Sequence, residues 1–111
     1  IVEAKVLVLG LTFKENCPDL RNTRVADIVH ELNELHADVD VHDAWADGEE
    51  ASSHLGIELT EAPKSAHYDL VVLAVSHQQY INDQVRSYLK SDGLLVDLKG
   101  ALPRSLVDER L

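Results

Sequence analysis

The chain has 111 residues, 45% of them apolar, a formal net charge of -10 and a single cysteine, Cys17. That is one domain of ordinary size with enough apolar side chains for one core. It has no apolar run near the roughly 18 residues of a membrane span, no signal-peptide pattern and no possibility of an internal disulfide framework. The acidic balance disfavours nucleic acid and anionic membrane as partners, and the lone cysteine fits a reducing, cytosolic compartment.

The chain opens at Ile1 rather than Met, and by Val6 it is already in a strand-like run. We therefore expect a larger parent with domains upstream. Lys5–Leu9 is nearly continuously apolar and ends at Gly10, as suits a central parallel strand buried on both faces. A long polar loop follows, carrying Phe13, Lys14, Cys17 and Arg21. Asn22 or Thr23 is the expected cap of a helix in which Val25, Ile28, Val29, Leu32 and Leu35 recur at helical spacing, ending near His36-Ala37.

Residues 38–43 alternate as a second strand. Residues 44–56 read as a polar loop with at most a helical turn, Ile57–Leu59 as a short edge strand and Ala62–Ala66 as a brief helix. Tyr68–Val75 is the strongest strand signal. Tyr80, Ile81, Val85, Tyr88 and Leu89 suggest another helix, Asp92-Gly93 a turn, and Leu94–Asp97 a last strand. Pro103 can open a terminal helix.

Strands alternating with helices predict a Rossmann-like α/β fold: an open, doubly wound parallel sheet in a three-layer α/β/α arrangement. Ligands of such sheets bind beyond the carboxyl ends of the strands, where strand order reverses. The first strand and the Leu70–Val75 strand should flank that point. Residues 10–21, 76–79 and 98–103 would then meet at one edge, bringing Lys14, Arg21, His77 and Lys99 together.

The charge is unevenly distributed. Residues 25–61 hold eleven acidic side chains and no Lys or Arg, which reads as a solvated face. An anion is better received near Lys14, Arg21, Arg24, Lys99 and Arg104. A dinucleotide fingerprint needs three glycines, and only Gly10 is present, with Thr12 and Glu15 in the other two places. Asp43, at the end of the second strand, mimics the acidic ribose ligand or simply ends the strand. Lys14 and Lys99 can make charge-assisted bonds to phosphate or be surface lysines. Arg21 can do the same or pair with Asp19. Phe13 can stack on a base or pack in the core. Cys17 has no identifiable partner for nucleophilic chemistry, the six histidines form no zinc motif, and His77 at the switch point is worth testing.

Gly10-Leu-Thr-Phe-Lys-Glu-Asn-Cys-Pro-Asp-Leu-Arg-Asn-Thr23, followed by Leu70-Val-Val-Leu-Ala-Val75 and Leu95-Val-Asp-Leu-Lys-Gly100, resembles the C-terminal domain of the UDP-glucose/GDP-mannose dehydrogenase family across essentially the whole chain. The first motif is most similar to the branch that oxidises UDP-N-acetylhexosamines to uronic acids for bacterial surface polysaccharides. The resemblance implies a homodimeric parent with an upstream Rossmann domain for NAD, a central helical dimerisation region and this domain closing over the UDP-sugar. It also implies oxidation at the sugar C6 in two NAD-dependent steps through an upstream cysteine. By motif, Phe13 and Lys14 match the substrate-contacting pair, and Arg21 matches an arginine that reaches the NAD side. Lys99 stands where the glucose branch has a substrate-contacting arginine, and an ammonium does not reproduce a guanidinium fork. No catalytic residue is implied here, and the fragment alone should lack dehydrogenase activity. The rival readings are a degenerate Rossmann scaffold without catalysis and a regulatory nucleotide-sensing module.

Overall fold

In this computed structural model, residues 4–12, 24–75, 77–80, 83–98, 102 and 109–110 are described. Five strands form one parallel sheet: β1 (Lys5–Leu9), β2 (Asp38–His42), β3 (Tyr68–Leu73), β4 (Leu89–Asp97) and β5 (Glu109–Arg110), in the spatial order β2-β1-β3-β4-β5. The chain leaves β1 towards one edge and returns past it to β3. The order therefore reverses between β1 and β3, as the strand pattern predicted.

Alternation along the strands sends side chains to two cores. Val6 and Val8 join Val41 and Val72 on one face. There they are covered by Val25, Ala26 and Val29 of the helix α1 (Val25–Glu34) and by Ala51 and Ile57. Leu7 and Leu9 join Val71, Leu73 and Leu95 on the other, under Tyr80, Val85 and Leu102. Each such leucine, fully buried, contributes about 1.5–3 kcal/mol.

Several local expectations are corrected. The cap of α1 falls on Arg24, whose side chain makes no capping bond, and Asn22 and Thr23 lie outside the described residues. The helix stops at Glu34 because His36 turns to φ 64°. Residues 48–55 form more than a loop: an α turn at Gly48–Glu50, capped by Asp47, runs into a π turn at Ala51–Leu55. Leu59 makes only an isolated parallel bridge to Val41. No helix forms over 62–66. Pro63 pushes the preceding residue out of the α region, and Ala66 has φ 49°.

The helix expected after Tyr80 is instead two 3₁₀ segments, Gln78–Tyr80 and Asp83–Tyr88, the second opened by Asp83, a residue type that favours turns over helix interiors. Asp92-Gly93 lies inside β4, in an irregularity where the partner register jumps from Tyr68↔Leu89 to Leu70↔Leu94. A Cβ on Gly93 would meet the Tyr68 carbonyl at 3.0 Å. The short strand β5 was not anticipated, and the helix expected at Pro103 falls outside the described residues.

Gly10 turns the chain out of the sheet. It has φ +98°, and a Cβ there would lie 2.6 Å from the Val75 Cβ and 2.8 Å from its nitrogen. Its N–H donates to the His42 carbonyl at 2.8 Å. Gly10→Ala combines left-handed strain of about 1–3 kcal/mol with overpacking of about 1–3 kcal/mol. Urea unfolding should show a loss of about 2–6 kcal/mol, larger than for alanine at the open Gly48.

Candidate functional site

Beyond the carboxyl ends of β1, β2 and β3 lies a buried polar cluster built on Asp43. Its Oδ2 accepts hydrogen bonds from the backbone N–H of Leu11 at 2.6 Å, the N–H of Thr12 at 3.0 Å and Nε2 of His77 at 2.9 Å. Its Oδ1 accepts from the N–H groups of Trp45 at 2.7 Å and Ala46 at 2.9 Å. One carboxylate thus ties the loop after β1, the loop after β2 and the loop after β3.

The side chains of Asp43 and His77 are fully shielded from solvent, and Thr12 is buried beside them with Oγ1 2.9 Å from His77 Nε2. An ionised carboxylate only accepts, so Nε2 carries the proton that faces it. Burial opposes ionisation of Asp43. The hydrogen bonds from His77 and from the amides of Leu11, Thr12 and Trp45 outweigh it and hold the carboxyl well below the usual carboxylate range.

A second layer lies against the first. The Tyr80 hydroxyl is 2.6 Å from His42 Nδ1 and accepts from the N–H of Ala44 at 3.1 Å. Burial lowers the His42 pKa, which suits a neutral ring taking the Tyr80 proton as a hydrogen bond. Burial, then the Asp43 charge, raises the Tyr80 hydroxyl. Trp45, one of three exposed large apolar side chains among the described residues, sits 6.3 Å from the His77 ring. On β4, the buried Asp97 accepts from the N–H of Leu102 at 2.8 Å.

Phe13, Lys14, Cys17, Arg21, Lys99 and Arg104 lie outside the described residues. The stems of their loops are described. Leu9 pairs with Leu73, and Leu73 with Asp97, so the chain departs for Lys14 and for Lys99 from one sheet edge, two strands or roughly 10 Å apart. Of the switch-point candidates, His77 is placed against Asp43; Arg24, named only as a cation near which an anion could bind, is exposed at the start of α1.

Sequence reasoning treated Asp43 and His77 separately and missed both Thr12 and the Asp97–Leu102 bond. The available signal was an Asp directly after an alternating strand, followed by the small residues Ala44 and Ala46. Among the described residues, no group of three His, Cys, Asp or Glu could hold a metal ion, and no helix is long and apolar enough to cross a membrane.

These residues do not fit a dinucleotide held by this domain in the Rossmann manner. That mode uses free loop amides for pyrophosphate and a free strand-end carboxylate for ribose. Here the carboxylate of Asp43 is bonded to the amides of Leu11 and Thr12.

Residues 7–104 match the model of the UDP-glucose/GDP-mannose dehydrogenase family, UDP binding domain. This chain belongs to that family. It is 45% identical to a UDP-N-acetyl-D-glucosamine 6-dehydrogenase of Salmonella typhi and 46% identical to one of Pseudomonas aeruginosa, in both cases over 97% of the chain and 26% of the relative. It is 43% identical to Protein CapL of Staphylococcus aureus over 89% of the chain and 24% of that protein. It therefore spans about a quarter of the curated relatives' length. Among solved structures, a UDP-glucose dehydrogenase from Pyrobaculum islandicum superposes on 99% of the chain and 25% of its own length, with a TM-score of 0.74 and 26% identity. A GDP-mannose dehydrogenase from Pseudomonas aeruginosa shares the fold with a TM-score of 0.73 and 21% identity, over 98% of this chain and 27% of its own.

Replacing Asp43 by Asn keeps the size but turns an amide donor towards backbone donors. Breaking a buried charged interaction costs about 3–5 kcal/mol, so urea unfolding at neutral pH should show a loss of that order. The folded pKa is depressed, so the stabilisation from Asp43 is full above its unfolded value near 3.8 and disappears as pH falls towards the folded one. Stability measured from pH 7 down to pH 2 should fall less steeply below pH 4 in Asp43→Asn than in the parent sequence.

Proposed function

We infer that this chain is the C-terminal, UDP-sugar-binding domain of an NAD-dependent nucleotide-sugar 6-dehydrogenase. The parent oxidises a UDP-N-acetylhexosamine to its uronic acid for surface polysaccharide synthesis. The observation that carries this reading is the 45–46% identity, over nearly the whole chain, to two UDP-N-acetyl-D-glucosamine 6-dehydrogenases. The closed Asp43 seat agrees with it, because a nucleotide reaching this edge must be held by side chains rather than by a glycine loop.

In this reading Phe13 and Lys14 contact the substrate, with Lys14 on the diphosphate, and Lys99 reaches the same ligand from the loop stemmed on Asp97. Arg21 reaches the NAD side. NAD itself belongs to an upstream domain and supplies hydride acceptance there. The residues of this chain bind and orient the UDP-sugar and, by closing over it, exclude water from the interdomain pocket. The parent works as a cytoplasmic homodimer, and the isolated chain has no dehydrogenase activity because the reactive cysteine and the NAD site lie in the other domains.

Lys14→Ala in the full-length enzyme tests the assignment. A charge-assisted contact contributes about 1.5–3 kcal/mol, so the KM for the UDP-sugar should rise roughly 10- to 100-fold with the far-ultraviolet circular dichroism unchanged. An unchanged KM and kcat would favour a scaffold without ligand contacts.

A further inference from the structure

The geometry points to the buried Asp43–His77–Thr12 cluster as a positioning device that fixes Leu11–Thr12, the stem of the segment after β1, and through that stem supports the nucleotide binding proposed above. This rests on the substrate-binding reading above and adds residues to it that touch no ligand themselves.

The cluster acts on the stem of that loop. Gly10 is locked against Val75 and His42, and its φ of +98° sets the direction in which the chain leaves the sheet. The next two peptide N–H groups, of Leu11 and Thr12, converge on a single oxygen of Asp43. Both residues are buried, at 0% and 1% exposure. Thr12 is fixed a second time through Oγ1, which meets the same His77 nitrogen that faces Asp43. His77 is itself placed by its own short turn, its N–H donating to the Val75 carbonyl at 2.9 Å and its carbonyl accepting from Tyr80 at 2.9 Å.

The backbone at Leu11 and Thr12 is therefore set from all three strand ends at the switch point. A binding segment depends on the direction of its stem, and misplacement by an ångström is enough to weaken a charged contact. Simple strand termination would require none of the Thr12 hydroxyl, the His77 ring or their shared nitrogen.

The device can be loosened without emptying it. Thr12→Val keeps the shape and leaves His77 bonded to Asp43. His77→Leu removes one donor and leaves Asp43 its four amides. Thr12→Ser and His77→Gln restore the hydroxyl and an N–H, respectively. In the full-length enzyme, steady-state rates with UDP-N-acetylglucosamine should show the KM raised about 2- to 10-fold by Thr12→Val and by His77→Leu, as loss of one hydrogen bond's worth of binding implies. The kcat should stay within about twofold, the pattern of lost binding rather than lost chemistry, and Thr12→Ser and His77→Gln should return the KM to the parent value. Should His77→Leu fail to fold, the Thr12 pair alone decides.

Lys14→Ala is the control that separates the two claims. A raised KM in Lys14→Ala with an unchanged KM in Thr12→Val and in folded His77→Leu would overturn the positioning role and leave the binding assignment standing. An unchanged KM in all of them would overturn both.

Discussion

The carboxylate of Asp43 is the constraint on which the rest of the carboxyl edge depends. Three strands end side by side there, and the segments after β1 and β2 turn backbone N–H groups towards it. Asp43 collects four of those N–H groups and one imidazole on two oxygens. A buried ion is tolerable only when it is this thoroughly bonded. The bonds in turn keep it ionised against the pull of burial. Sheet order and the Gly10 turn supply the geometry, because only the reversal between β1 and β3 brings residues 11–12, 43 and 77 within reach of one side chain.

The same interaction explains how a Rossmann-like frame can serve a different ligand mode. Loop amides after the first strand are the natural seat for a phosphate. In this chain an internal anion faces them, supplied by the very position that in a dinucleotide fold would hold the ribose. In the proposed reading the attraction for a nucleotide is carried on the side chains of Lys14, Arg21 and Lys99, while the acidic block of residues 25–61 disfavours anions elsewhere on the domain. Asp97 repeats the device on a smaller scale by accepting the N–H of Leu102.

Much of the fold was legible in the sequence because burial on both faces leaves continuous apolar runs. Lys5–Leu9 and Tyr68–Leu73 read directly as buried strands, and the alternation over residues 38–43 read as a second strand. The elements that were misjudged are those whose conformation is decided by tertiary contacts. The Tyr80–Tyr88 stretch has helical apolar spacing, yet it must turn tightly to return to β4, and i→i+3 bonding results. Asp92-Gly93 carries a turn signature that is absorbed into a strand irregularity beneath Tyr68. For the site, the loops and the switch point followed from topology, and Asp43 and His77 were each visible as residues of interest. Their pairing through Thr12 was not, since the three lie 31 to 65 positions apart and no local pattern connects a threonine in a loop to a histidine two strands away.

The most direct test of the central claim is an NMR titration of the labelled chain with UDP, following the amide protons of Leu11 and Thr12 and the carboxyl carbon of Asp43. The account predicts that these two amides stay hydrogen-bonded to Asp43 and protected from solvent exchange throughout, while the resonances of Lys14 and of the loop containing Lys99 move and saturate. Should UDP instead displace the carboxylate, with the largest shifts at Leu11 and Thr12 and a matching change at the Asp43 carbon, the loop amides would be the phosphate seat after all and the account would be wrong.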